Sequence, residues 1–188
     1  MAIGVALTLS CGGHKGVRED DPYTPSRITS LQKDLKYHKV IVRPFTVGTV
    51  EETDNPQNAA VDCQTSAVGY LTQKGLFSSV QISPDAIPDA DTVVVDASVT
   101  ALRIVSGGAR FWAGALAGSS KMALVVNAKD ARGSQVGQRA VSNDTNAFGG
   151  AWTMGATDRG LPGDMGYLVA DSIIQLAVGQ SAVPAVAK

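Results

Sequence analysis

Residues 91–105 read DTVVVDASVTALRIV, and no other stretch constrains the fold as strongly. Val93, Val95, Ala97, Val99 and Ala101 recur at period two on one face, while Asp96, Ser98 and Thr100 take the other. Alternation of this kind describes a strand with one dry face and one wet face. Working toward the C-terminus, residues 121–129 repeat the pattern with Met122, Leu124, Val126 and Ala128. Asp130-Ala131-Arg132-Gly133 then reads as a hairpin turn into a strand over 135–145. Three antiparallel strands in a meander follow from these spacings.

Working outward in both directions adds the remaining elements. Residues 37–45 (YHKVIVRPF) form the first strand, with Pro44 ending its pairing, and residues 77–83 form a short one bounded by Pro84 and Pro88. A helix is expected from Asn55 or Pro56 to Lys74, stopped by Gly75, with Ala60, Cys63, Ala67 and Leu71 as its apolar stripe. A second helix carries Met165, Leu168, Val169, Ser172, Ile173, Leu176 and Ala177, entered at Gly160-Leu161-Pro162 and stopped at Gly179. The expected order is β-α-β-β-β-β-α. It describes an α+β domain, a mostly antiparallel sheet of about five strands with two helices packed on one face.

The chain has 188 residues, of which 44% are hydrophobic and 18% charged, proportions that fit one globular domain. Its formal net charge of -1 gives no field that would gather nucleic acid, so no nucleic-acid partner is expected. The only apolar run at the N-terminus, residues 2–9 (AIGVALTL), is too short to span a bilayer and has the length of a signal-peptide core. It ends in Ser10 and Cys11, followed by Gly12 and Gly13.

The segment from Leu7 to Cys11 resembles the lipobox of bacterial lipoprotein precursors, in which a small residue precedes a cysteine that becomes the mature N-terminus. That resemblance implies a signal peptide over 1–10 and lipidation of Cys11. Gly12 after the cysteine resembles the outer-membrane-directed class, which implies the periplasmic face of that membrane. A cysteine suits this position because its thiolate accepts a thioether-linked diacylglycerol, and each buried CH2 adds about 0.8 kcal/mol of membrane affinity. Residues 11–36 are read as the lipidated N-terminus and tether, 37–179 as the domain, and 180–188 as a tail.

Residues 107–118 (GGARFWAGALAG) interrupt two good strands with a glycine-rich, aromatic connection. The expectation is a loop that folds back to cap the sheet end. The alternative is a partner or membrane-interface contact through Phe111 and Trp112, since paired aromatics offer large contact area at low entropy cost. Trp152, in the second glycine-aromatic stretch 148–155, is a further contact candidate, against packing on the last helix. Arg110-Phe111-Trp112-Ala113-Gly114-Ala115-Leu116-Ala117-Gly118 resembles a family of uncharacterised bacterial lipoproteins with an Arg-aromatic-x-x-Gly-x-x-x-Gly loop between strands. The element order is also similar to that of periplasmic domains of curli-secretion-type lipoproteins.

Groups for catalysis are scarce. His14 lies in the tether, His38 at a strand start, and Cys63 on an apolar stripe, so no nucleophile has a paired base. Asp85, Asp89 and Asp91 lack the glycine and closing glutamate of a calcium loop and read as a solvated turn. No catalytic residue, metal site or cofactor is therefore assigned. The expected function is a non-enzymatic binding or assembly module, held to the membrane through its lipid and meeting an envelope protein or cell-wall partner. The alternatives are a homo-oligomeric secretion or channel component and, third, a secreted hydrolase.

Overall fold

The computed structural model describes residues 23–50, 55–145 and 156–179. Its elements are α1 (Pro25–Asp34), β1 (Lys39–Val42), β2 (Thr46–Val47), α2 (Pro56–Lys74), β3 (Ser79–Ile82), β4 (Thr92–Arg103), α3 (Gly107–Ala113) with a following 3-10 turn (Gly114–Ala117), β5 (Lys121–Lys129), β6 (Gln135–Asp144) and α4 (Ala156–Ala177). The α+β class and the antiparallel meander β4-β5-β6 agree with the sequence reading. The strand order is β3-β1-β4-β5-β6, with β2 beside β4. β1 enters between β3 and β4 and runs parallel to both, an arrangement that needs the crossover helix α2 between β1 and β3. Pro44 does end β1, and the pairing resumes at Thr46 opposite Ser98.

One face of the sheet carries the core. Val40, Val42, Val93, Val95, Ala97, Val99, Leu124 and Val126 are buried there with Leu71, Ile173 and Leu176 from the helices. The period-two expectation for β4 fails near its end. A bulge between Val99 and Ala101 leaves Thr100 unpaired and turns Leu102, not Ala101, into the core, where Leu102 is fully buried opposite Met122. Alternation alone gives no sign of a bulge, because either register keeps an apolar residue on the dry face.

The tether boundary moves. Residues 23–36 are not spacer: Thr24 caps α1 by accepting from the Arg27 N–H, and Tyr23 and Leu35 at its two ends are buried in the core. Tyr23 stacks edge-on against Tyr70, Gln32 Nε2 donates to Gly75 O at 3.0 Å, and the Lys36 N–H donates to Ala177 O at 2.9 Å. The helix itself is short and polar, with only Ile28 and Leu31 packing partly inward, which is too sparse for a periodic signal.

The last helix also starts earlier than expected. It begins at Ala156 and holds Pro162 inside, so the proline does not mark its entry. Ser172, which breaks the apolar stripe, donates its hydroxyl back to Leu168 O at 3.0 Å and is satisfied where it is buried. α4 lies directly on α2. A Cβ at Gly166 would stand 2.7 Å from Cys63 O and 2.8 Å from Ala67 N, so only glycine permits this approach. Ser66 Oγ fixes the same crossing by donating to Gly163 O at 2.7 Å.

Candidate contact surface at the sheet end

β4 ends and β5 begins at one end of the sheet, and the chain between them projects as α3 and its 3-10 turn. Ser106 Oγ accepts from the Ala109 N–H at 3.2 Å, capping α3 in the usual way for a serine before a helix. At the far end, Arg103 Nη2 donates to Ala117 O at 3.2 Å, and its guanidinium lies so close to Gly118 that an added Cβ would sit 3.2 Å from Nη1. Gly118 has φ +84, a left-handed conformation that glycine adopts without cost.

The base of this projection is clamped by a buried polar group. Ser120 Oγ accepts from the Val105 N–H at 2.8 Å and donates to Asp158 Oδ1 at 2.7 Å, tying the two strand ends to the first turn of α4. Thr145 Oγ1 donates to the same Asp158 oxygen at 2.7 Å and accepts from the Ser120 N–H at 3.1 Å. Ser120 and Asp158 are fully buried. A buried carboxylate is tolerable because two hydroxyls satisfy it. The sequence reading missed all three residues. The available signal was polar side chains placed just beyond two strands and in the first turn of a helix.

On that base, Phe111, Trp112 and Leu116 are 66%, 86% and 94% exposed. The two rings meet edge to face, with centroids 5.1 Å apart at 88°. The expected capping of the sheet end by this segment is therefore not observed. Phe111 and Trp112 face solvent on a projection whose base, at Val105 and Ser120, is bonded to Asp158. Trp152 and Cys11, the other residues singled out from the sequence, lie outside the described residues.

The groups weighed for chemistry are engaged otherwise. Cys63 is fully buried, and burial pushes its thiol up to about 12. His38 Nδ1 lies 2.8 Å from Asp91 Oδ1, and this contact foremost lowers the Asp91 carboxyl. Asp89 bonds Lys39 Nζ and the Thr92 hydroxyl, with its carboxyl held down at about 2 chiefly by Lys39. A recess of about 290 Å³ opens on the far face of the sheet between Pro88 and the Asp130–Gly133 turn, floored by Val94. Its polar groups are used locally: Lys129 pairs with Asp96 at 2.9 Å, Arg43 donates to Ser83 O and Ala86 O, and Asp130 accepts from the Arg132 and Ser134 N–H groups. Among the described residues, no helix is long and apolar enough to cross a membrane, and no group of three or more His, Cys, Asp or Glu is placed to hold a metal ion.

Residues 17–150 match the family model DUF4410, described as a domain of unknown function. No curated protein matches the chain. Among solved structures, the chain is similar to the PelC dodecamer from Paraburkholderia phytofirmans, at 16% identity and TM-score 0.46, over 78% of this chain and 90% of that one. It is also similar to the hypothetical protein CT253 from Chlamydia trachomatis, at 14% identity and TM-score 0.42, over 74% of this chain and 98% of that one.

Proposed function

The chain belongs to the DUF4410 family, whose description assigns no activity, and from its own residues we propose a lipid-anchored bacterial envelope protein that acts as a non-enzymatic binding or assembly module. The observation that carries this reading is the projection at the sheet end. Three large apolar side chains stand in water on a segment whose base is rigidly clamped, and exposed apolar clusters of this kind mark contact surfaces. Nothing in the internal packing requires Trp112 to be outside. The Ser120 hydroxyl, by contrast, is buried against a carboxylate and serves the architecture.

Attachment rests on Cys11 and the lipobox-like segment before it, with two or three acyl chains making a stable anchor. Globomycin treatment and a Cys11→Ser variant, followed by membrane fractionation and mass spectrometry of the mature N-terminus, test it. The expected result is an acylated Cys11 as the mature N-terminus in the membrane fraction; Cys11→Ser abolishes the acylation, and globomycin leaves the acylated precursor with residues 1–10 still attached. An unmodified N-terminus on a soluble mature protein overturns the reading.

A second reading, a homo-oligomeric assembly, is favoured by β6. This ten-residue strand is an outer edge of the sheet, contains no proline, and pairs with β5 alone among the described strands. Thr145 N bonds Ser120 O, so from Thr145 back to Gly137 the odd-numbered residues face β5, while Gln138, Ala140, Ser142 and Asp144 turn their backbone groups outward; a bulge at Val136 ends this alternation. A two-fold through Ala140 would set Gln138 opposite a second Ser142, with no like charges facing. Light scattering of the lipidated protein in detergent distinguishes the two readings: a monomer rejects the oligomer.

A further inference from the structure

We propose that the projection formed by α3 and its 3-10 turn inserts into the interfacial layer of a bilayer with anionic headgroups, giving the domain a second point of membrane attachment beside Cys11. This assignment rests on the envelope reading and names the occupant of its contact surface. Three features select a lipid surface. Between Gly107 and Gly118 the only polar side chain in the sequence is Arg110; the rest are Gly, Ala, Phe, Trp and Leu. A protein partner is recognised through polar groups as well as apolar ones, whereas the boundary between headgroups and acyl chains asks for apolar bulk with aromatic rings at its edge.

Secondly, the backbone of the projection is helical throughout, with its first turn capped by Ser106 and its last carbonyl, Ala117 O, taken by Arg103. Backbone groups satisfied within the segment are the condition for leaving bulk water, because an unsatisfied amide in a lipid environment is costly. Thirdly, no Asp or Glu occurs between Asp96 and Asp130, while Arg103, Arg110 and Lys121 sit in and beside the projection; the nearest acid in register is Asp144, opposite Lys121. Basic groups flanking an apolar wedge match anionic headgroups.

The position of the tether is compatible with both contacts reaching one membrane. Tyr23, where the described chain begins, hydrogen-bonds Asp171, and Asp158 of the same helix holds the base of the projection. Thirteen residues of α4 separate the two levels, about 20 Å along its axis. The twelve residues from Cys11 to Tyr23 span up to about 40 Å when extended, enough for the acyl chains and the projection to share a bilayer.

The test uses the full chain carrying Cys11→Ser, which removes the lipid, and Trp152→Phe, which leaves Trp112 as the sole tryptophan. Vesicles of phosphatidylethanolamine and phosphatidylglycerol are expected to shift Trp112 emission to the blue, and lipids brominated high on the acyl chain to quench it. Phe111→Ser with Leu116→Ser should weaken partitioning about tenfold or more, with the circular dichroism spectrum unchanged. Emission unaltered by vesicles overturns the proposal. So does a blue shift that grows with protein concentration in lipid-free buffer, which assigns the surface to a second copy, and so does equal partitioning onto pure phosphatidylcholine, which removes the anionic preference. Because the variant carries no lipid, failure here leaves the Cys11 anchor standing, and failure of the anchor shows instead in the mass of the mature N-terminus.

Discussion

The Ser120 hydroxyl donates to Asp158 Oδ1 at 2.7 Å across 38 positions of sequence, and through it the exposed projection, the ends of β4 and β5 and the start of α4 are one polar unit. Removing the carboxylate leaves the buried Ser120 hydroxyl without its acceptor and the Thr145 hydroxyl with only the longer bond to Ser120 O, at 3.5 Å. Asp158→Ala is expected to cost about 2–3 kcal/mol in urea unfolding, and Asp158→Asn less, since an amide oxygen still accepts. Hydrogen exchange should rise first in residues 104–120. A loss spread evenly over the sheet would show that the clamp has no special hold on the projection.

The contact between α2 and α4 depends on a missing side chain. In an exposed helix Gly→Ala gains about 1 kcal/mol of propensity. At Gly166 the added methyl would stand 2.7 Å from Cys63 O and 2.8 Å from Ala67 N, which are backbone atoms and cannot swing aside. Overpacking costs about 1–3 kcal/mol and outweighs the gain. Gly166→Ala should therefore lower Tm by a few degrees, about 2–6 °C, and Gly166→Val by more. An unchanged or raised Tm for Gly166→Ala would mean that the helices separate freely.

How much of this was legible in advance follows from range. β5, α2 with its Gly75 stop and the three-stranded meander rest on local periodicity and turn chemistry, which the sequence displays directly. The seat of β1 between β3 and β4 rests on which strand pairs with which across 40 positions or more, and alternation carries no such label. α1 is held by contacts that begin and end it, Tyr23 on Tyr70 and Lys36 on Ala177, and not by an apolar stripe. At the candidate site the aromatic pair was conspicuous, but the clamp at the base of its projection joins Ser120, Thr145 and Asp158, three common polar residues brought together only by the fold.

Acid should weaken the exposed carboxylate contacts beside β1. The Lys39 ammonium foremost, then the Thr92 hydroxyl, hold Asp89 at about 2 against an ordinary 3.8. A carboxyl lowered in the folded state contributes stability that is full above its unfolded value and fades as pH falls from 3.8 toward 2. Carbon-13 carboxyl titration should place the Asp89 midpoint near that lower value, and Lys39→Met should move it upward. A midpoint for Asp89 that ignores the loss of Lys39 would assign the lowering to Thr92 and the turn instead.

Cys63 offers the opposite sign at the other end of the pH scale. Its thiol is fully buried beneath α4, and burial raises it from 9.0 to about 12. Since the thiolate is the reactive form, a Cys11→Ser protein at pH 8 should react with thiol reagents only on opening, with labelling accelerated about a hundredfold or more in denaturant. The linkage follows from the same burial. An acid raised in the folded state keeps its proton there while the unfolded chain gives it up, so the contribution is full below pH 9.0 and is lost as pH climbs toward 12. Other groups titrate in that window, Tyr23 among them, so the difference between the parent and Cys63→Ala isolates the thiol. That difference should narrow as pH rises from 9 to 11, because the parent loses the cysteine's contribution and the alanine variant has none to lose; a constant gap would place the Cys63 thiol in contact with water.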